Sequence, residues 1–372
     1  MKLVKVVGSL LLAAGLVGCT PPMPPEVKAA LADKYVTCVD GPLTISSQPE
    51  FEELLNIWSE SYTTNCANSK LQITEYGNTS DIVISGASEA TPFCSSSLKI
   101  PVGLDGVVVA TPLEGVENIV LSPEVLNKVL LGEISNWQDA DITDLNPDIE
   151  FPDLPMQVIQ SGSKTEVEAL NLWMATETGG TWQPITAAAE QNLEELATDG
   201  SIGIASLAYA QNNSLSLAEF LLPSSDQSLY AESAGVDSGG TQMVLTNTGD
   251  DYVAEIDPTI EPTASEGTDE AAIPWHGIAQ TTVSICKGQN ELAAKAFAKY
   301  ILRLDSQGEL VGVGRNATPE NIRIELLGIV SAGLPEPSVP PSGEPEPALP
   351  TEMPTEEPAV DATDAATPEP TS

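Results

Sequence analysis

From Cys38 to about Val330, short runs of β-branched residues alternate with amphipathic stretches, and that alternation restricts the chain to an α/β architecture. "LQITEY", "SDIVISGAS", "GVVVATP", "MQVIQ" and "QTTVSICK" predict strands, and "GSIGIASLAYAQNN" predicts a buried strand running into a short helix. "PEFEELLNIWSESY", "SPEVLNKVLLG", "TEVEALNLWMA" and "ELAAKAFAKYILR" space their apolar residues three and four apart, as helices with one buried face do. The stretch 224–268 is polar, acidic and poorly periodic, so it predicts loops with short strands. A globule of roughly 290 residues exceeds one small core and suits two lobes.

The two ends read differently. Lys2 and Lys5 precede "VVGSLLLAAGLVG", a basic region and an apolar region too short to span a bilayer comfortably, which together read as an export signal. Leu16-Val17-Gly18-Cys19 resembles a bacterial lipobox. That resemblance implies a signal peptide over 1–18, cleavage before Cys19, acylation of Cys19 with palmitate, and an extracytoplasmic globule anchored to the cell membrane. An ordinary signal peptide or an uncleaved anchor is the competing reading. Residues 19–37 would be the lipidated N-terminus and tether, stiffened by "TPPMPPE". Residues 331–372 lack lysine and arginine and hold few large apolar side chains, which predicts a disordered acidic, proline-rich tail.

Charge and cysteine content narrow the function. With 54 acidic against 14 basic residues and a formal net charge of −40, the chain argues against a nucleic-acid partner, because phosphate backbones demand a cationic surface. Four cysteines remain after Cys19, and in an exported chain they suggest disulfides with three possible pairings. We favour Cys38–Cys66 with Cys94–Cys286. His276 is the only histidine, and neither a Cys-x-x-Cys spacing nor a Gly-x-Ser-x-Gly elbow occurs. No metal, cofactor or catalytic residue is therefore assigned, the chain is not read as an enzyme, and His276 is read as structural.

Three serine-rich turns carry the remaining chemistry. "SGSKTEVEAL" opens a helix, whose first amides have no intrahelical acceptors and sit at the positive end of its dipole. Ser163 could equally cap that helix, with Glu166 completing a capping box. "TISSQPEFEELL" repeats the construction, and "ISGASEATPF" sets Ser85, Gly86 and Ser88 beside Glu89 at a strand end. Together they suggest an oxyanion pocket between lobes. An ionised Glu89 can accept the proton of monohydrogen phosphate, whereas fully ionised sulfate has none to give.

The same segments resemble the periplasmic phosphate-binding proteins of ABC transporters, most clearly from about Val102 to Asn213. "LSPEVLNKVLLGEISNWQDADITDLNPDIEFPDLPMQVIQ" is similar to that family's helix, Leu-Gly-Lys-Ile-x-x-Trp, Leu-Asn-Pro and strand. "DGSIGIASLAYAQNN", "GASEATPF" and "SGSKT" are similar to its Gly-Ala-Ile-Gly-Tyr, Gly-Ala-Ser-Asp and Ser-Asp-Gly-Ser-Gly-Thr segments. The resemblance implies a two-lobe α/β periplasmic-binding-protein fold (type II) with the ligand between lobes. Lobe 1 would span 38–108 plus 265–330, and lobe 2 would span 109–264.

Carried over by position, Ser47, Gln48, Glu89, Ser163, Lys164 and Thr165 become ligand-binding candidates, beside Ser46 and Ser88 from the serine-rich turns. Asn78, Thr79 and Ser80 stand in for a shortened Gly-Ser-Ser-Gly loop, and Gln160 replaces the strand-end arginine that clamps the anion in that family. Glu89 is one methylene longer than the family's aspartate. The implied function is that of a monomer that captures inorganic phosphate and delivers it to an ABC permease. Alternatives are a module for another oxyanion, a degenerate sensor or adhesion relative, and an exported hydrolase.

Overall fold

The computed structural model describes residues 23–116, 118–188, 192–264 and 271–335. The segment read as a signal peptide, the expected acylation site at Cys19 and the tail beyond residue 335 lie outside the described residues. In chain order the elements begin with α1 (Pro25–Lys34), β1 (Gly41–Ser47), a 3-10 turn (Pro49–Phe51), α2 (Glu52–Asn65), β2 (Ser69–Ile73) and β3 (Ile82–Gly86). Then come β4 (Ser96–Thr111), β5 (Ile119–Leu121), α3 (Pro123–Leu130), α4 (Ala140–Thr143), β6 (Gln157–Ile159) and α5 (Lys164–Glu177). Next follow β7 (Ser201–Ser206), α6 (Leu207–Asn212), β8 (Ser216–Phe220), α7 (Ser233–Thr241), β9 (Met243–Thr248) and β10 (Asp251–Ile256). The described chain ends with β11 (Ile278–Cys286), α8 (Glu291–Ile301), α9 (Leu304–Gly312) and α10 (Glu320–Val330). The architecture is mixed α/β.

Strand β4 is the spine. It is 16 residues long and buried without interruption from Ile100 to Thr111, so both of its faces are covered. From Ser96 to Gly106 it pairs antiparallel with β11, and from Val107 to Ala110 with β7. Two sheet regions thus share one continuous strand. In the first, β11 pairs antiparallel with β3, and β3, β1 and β2 continue in parallel. In the second, β7 pairs parallel with β6, and β8 joins β4 to β5.

Two stretches differ from the sequence-based expectation. Within the 19–37 tether, Pro25–Lys34 is a helix that packs on α10, with Ala29 and Ala32 buried. Pro25 at its first position is compatible with helix entry, and the two alanines three apart face the body of the protein. Asp33 then pairs bidentately with Arg323 of α10 at 3.0 and 3.1 Å. The acidic stretch 224–268 contains α7 and the antiparallel hairpin β9–β10. That hairpin of short strands attaches to β4 through Asp251 opposite Lys99, in the first sheet region.

The cysteine pairing is the expected one. Cys38–Cys66 ties the approach to β1 to the end of α2, with Cα atoms 5.4 Å apart. Cys94–Cys286 ties the β3–β4 loop to the end of β11, with Cα atoms 5.2 Å apart. Among the described residues no helix is long and apolar enough to cross a membrane.

Candidate functional site

Three strand ends meet at one cleft of about 1130 Å³. β1 runs out at Ser47, and the chain turns through Gln48 into Pro49 and α2. β3 runs out at Gly86, and β6 is followed by Ser163, the N-cap of α5. The remaining walls come from Asp105 of β4, Ala208 and Tyr209 of α6, Gln280 and Thr281 of β11, and Arg315 after α9.

The polar groups along this seam are already paired with one another. Gln48 Oε1 accepts from the Gly86 amide at 2.7 Å, joining the two strand ends. Across to α5, the Ser88 amide donates to Thr165 Oγ1 at 3.1 Å and the Lys164 amide donates to Glu89 Oε1 at 3.1 Å. Lys164 Nζ donates to the Ser88 carbonyl at 3.0 Å. This close approach depends on Gly86, because a Cβ there would lie 2.3 Å from Thr165 Oγ1. At the start of α5 the capping box is complete: Ser163 Oγ accepts from the Glu166 amide at 3.2 Å, and Glu166 Oε2 accepts from the Ser163 amide at 2.6 Å.

Of the candidate residues, Gln48, Glu89, Ser163, Lys164 and Thr165 line the cleft. The others are not among its lining residues. Ser46 and Ser80 are buried against each other, hydroxyl to hydroxyl at 2.9 Å, and Ser80 also donates to the Ile82 carbonyl. Ser47 is buried in β1, and Thr79 is exposed in the loop before β3. Ser88 contributes only its backbone, to Thr165 and Lys164. Gln160 is exposed, and its carbonyl accepts from the Asn192 amide.

Four charged residues that carry the cleft's electrostatics were not site candidates: Glu50, Asp105, Glu166 and Arg315. Asp105 is 2% exposed, and its Oδ2 lies 3.2 Å from Arg315 Nη1 while its Oδ1 accepts from the Ala208 amide. The Arg315 guanidinium stacks 4.7 Å from the Phe51 ring centroid. Two features of the sequence mark any of these: Glu166 is the last member of the Ser163 capping box, and Asp105 is a lone carboxylate inside the apolar run "VGLDGVVV". Arg315 is 210 positions away, and the sequence offers no local sign of that pairing.

The lining carries the carboxylates of Glu50, Glu53, Glu89, Asp105, Glu166 and Glu168 against two cations, Lys164 and Arg315. Removal from water pushes the Glu166 carboxyl up to about 7, with Asp105 and Glu50 adding to the rise and the Ser163 amide opposing it. Crowding by protein also raises Glu50. Burial raises Asp105, held back by Arg315 and the Ala208 amide.

His276 lies away from the cleft lining, where its Nε2 meets Gln242 Oε1 at 2.8 Å and burial lowers its pKa. Among the described residues no group of three His, Cys, Asp or Glu side chains is placed to hold a metal ion.

A sequence model described as the PBP superfamily domain matches residues 34–304. No curated protein matches the chain. Among solved structures, PstS from Borrelia burgdorferi is 14% identical, with 75% of this chain and 99% of that chain covered and a TM-score of 0.40. An ABC-type phosphate transport receptor from Vibrio cholerae is 11% identical, with 74% and 99% covered and a TM-score of 0.44. A human phosphate binding apolipoprotein is 10% identical, with 78% and 93% covered and a TM-score of 0.47.

Proposed function

The chain belongs to the PBP superfamily, and we propose that it is an extracytoplasmic solute-binding protein that captures inorganic phosphate at the start of α5. The observation that supports this reading is the convergence of the Gln48 turn, the Gly86–Glu89 loop and the Ser163–Thr165 helix start on one cleft. Each supplies groups that can face an anion, and the α5 dipole adds positive potential there. In this reading the two sheet regions that share β4 are the cores of two lobes, with β9–β10 counted in the first. Ligand capture would close them, and the closed form would dock on an ABC permease. The lipid at Cys19 would hold the protein at the membrane, and the chain would act as a monomer without cofactor or catalysis.

Isothermal titration calorimetry with phosphate, sulfate, arsenate and molybdate tests the reading. Heat with phosphate and arsenate but not with sulfate is expected, since only a protonated oxyanion can donate to Glu89. Equal binding of sulfate contradicts the role of Glu89, and binding of molybdate alone reassigns the ligand.

One observation favours a second reading, a degenerate relative that senses or adheres without transport. The amides an anion would use are held by the protein's own Glu89 and Glu166, and the arginine clamp is replaced by Gln160. Silence toward all four oxyanions would support it.

A further inference from the structure

We propose that Glu166 is a built-in competitor at the anion site, so that the anion enters together with one proton, which Glu166 takes up. The inference rests on the phosphate reading and deepens it. Its geometric basis is the 2.6 Å contact between the Ser163 amide and Glu166 Oε2. That amide is one of the orphan donors of the helix start that the ligand would use. One donor cannot serve two anionic acceptors, and two like charges at contact distance repel strongly in a partly dry cleft. A protonated Glu166 removes both obstacles. It gives up the Ser163 amide and turns from acceptor to donor, able to bond an oxygen of the anion.

The surroundings offer no other means of neutralising Glu166. Asp105 on β4 and Glu50 in the turn before α2 act on it, and Glu89 in the β3–β4 loop and Glu168 on α5 itself line the same cleft. The nearby cations are engaged elsewhere. Arg315 pairs with Asp105, Lys164 Nζ binds the Ser88 carbonyl and lies 3.6 Å from Glu168, and Lys99 Nζ binds the Ala87 carbonyl. The raised pKa of Glu166 places its protonation within reach of neutral pH. Glu89, which accepts from the Lys164 amide, is in the phosphate reading the acceptor of the ligand's own proton.

The test compares the full chain with its Glu166→Gln variant by calorimetry with inorganic phosphate from pH 6 to pH 8, in buffers of different ionisation enthalpy. Gln suits the third position of a capping box and imitates the protonated carboxyl. The titration of phosphate is common to both proteins and cancels in their ratio. With Glu166 ionising near 7, the variant binds about tenfold more tightly than the parent at pH 8 and nearly equally at pH 6. The parent also takes up close to one more proton per phosphate than the variant does at pH 8. A parent that stays silent beside a variant that binds supports the inference, with the competitor dominating. Equal pH dependence and equal proton counts overturn it and leave the phosphate reading standing. Absence of binding by both proteins at every pH overturns both. Should Glu166→Gln fail to fold, the parent's proton count decides alone: no uptake beyond that of phosphate itself overturns the inference.

Discussion

Gly86→Ala tests whether the seam between the β3–β4 loop and α5 is as tight as its contacts state. The added methyl would lie 2.3 Å from Thr165 Oγ1 and 2.9 Å from Thr165 Cβ, so one side must yield. Overpacking of this kind costs about 1–3 kcal/mol. Moving α5 away instead sacrifices the three bonds that cross the seam, from the Ser88 amide, the Lys164 amide and Lys164 Nζ. At about 0.5–1.5 kcal/mol each, that is no cheaper. Replacing glycine also stiffens the unfolded chain, which returns about 0.4–1 kcal/mol. The expected net loss is about 1–2 kcal/mol, read as a lower urea midpoint with an unchanged slope. Small-angle scattering should show a larger radius of gyration where α5 has moved. A variant as stable as the parent to within 0.5 kcal/mol (a threshold of about the usual error) refutes the tight seam, and with it the argument that these amides are pre-engaged.

Three further outcomes follow from other parts of the molecule. Arg323→Ala removes the buried guanidinium that joins Asp33 of α1 to Glu320 of α10, and should cost about 3 kcal/mol and expose α1 to protease; an unchanged urea midpoint contradicts this. Loop-closure entropy assigns about 5 kcal/mol to Cys94–Cys286, which spans 192 residues, and about 3.5 kcal/mol to Cys38–Cys66, which spans 28. Cys94→Ser/Cys286→Ser should therefore lower the melting temperature more than Cys38→Ser/Cys66→Ser, and the reverse order contradicts it. Glu166 has a folded pKa raised to about 7 from 4.5, so the folded state holds a proton that the unfolded chain has lost. Its contribution to stability is full below pH 4.5 and is lost as pH rises through about 7, and Glu166→Gln should flatten that fall. Asp105 and Glu50 shift in the same direction and keep part of the slope.

Strands β1, β5 and β8 were not singled out, whereas β2, β3, β4, β6, β7 and β11 were legible because β-branched runs such as "SDIVISGAS" and "GVVVATP" carry their own signal. Helix α1 was not, because its polar sequence is held by packing on α10 and by the Asp33–Arg323 pair, both remote along the chain. The start of α5 shows why a site is harder to read than a fold. Capping by Ser163 and Glu166 and anion binding use the same amides, so one pattern announces both. The capping box already put Glu166 on the Ser163 amide, and the three-dimensional arrangement adds Glu89 on the Lys164 amide. Ser46 and Ser80 fell outside the cleft lining for a related reason. Hydroxyls at strand ends have neighbours of their own, as the Ser46–Ser80 pair demonstrates.

The amide resonances of Ser163 and Lys164, followed by nitrogen-15 NMR during a phosphate titration near pH 6, address the central claim without intermediaries. Both should shift in parallel and saturate with the calorimetric affinity, as the ligand replaces Glu166 and Glu89 on the two N–H groups. If both stay fixed while resonances elsewhere move, or if nothing moves at all, the start of α5 is not where this protein holds its ligand.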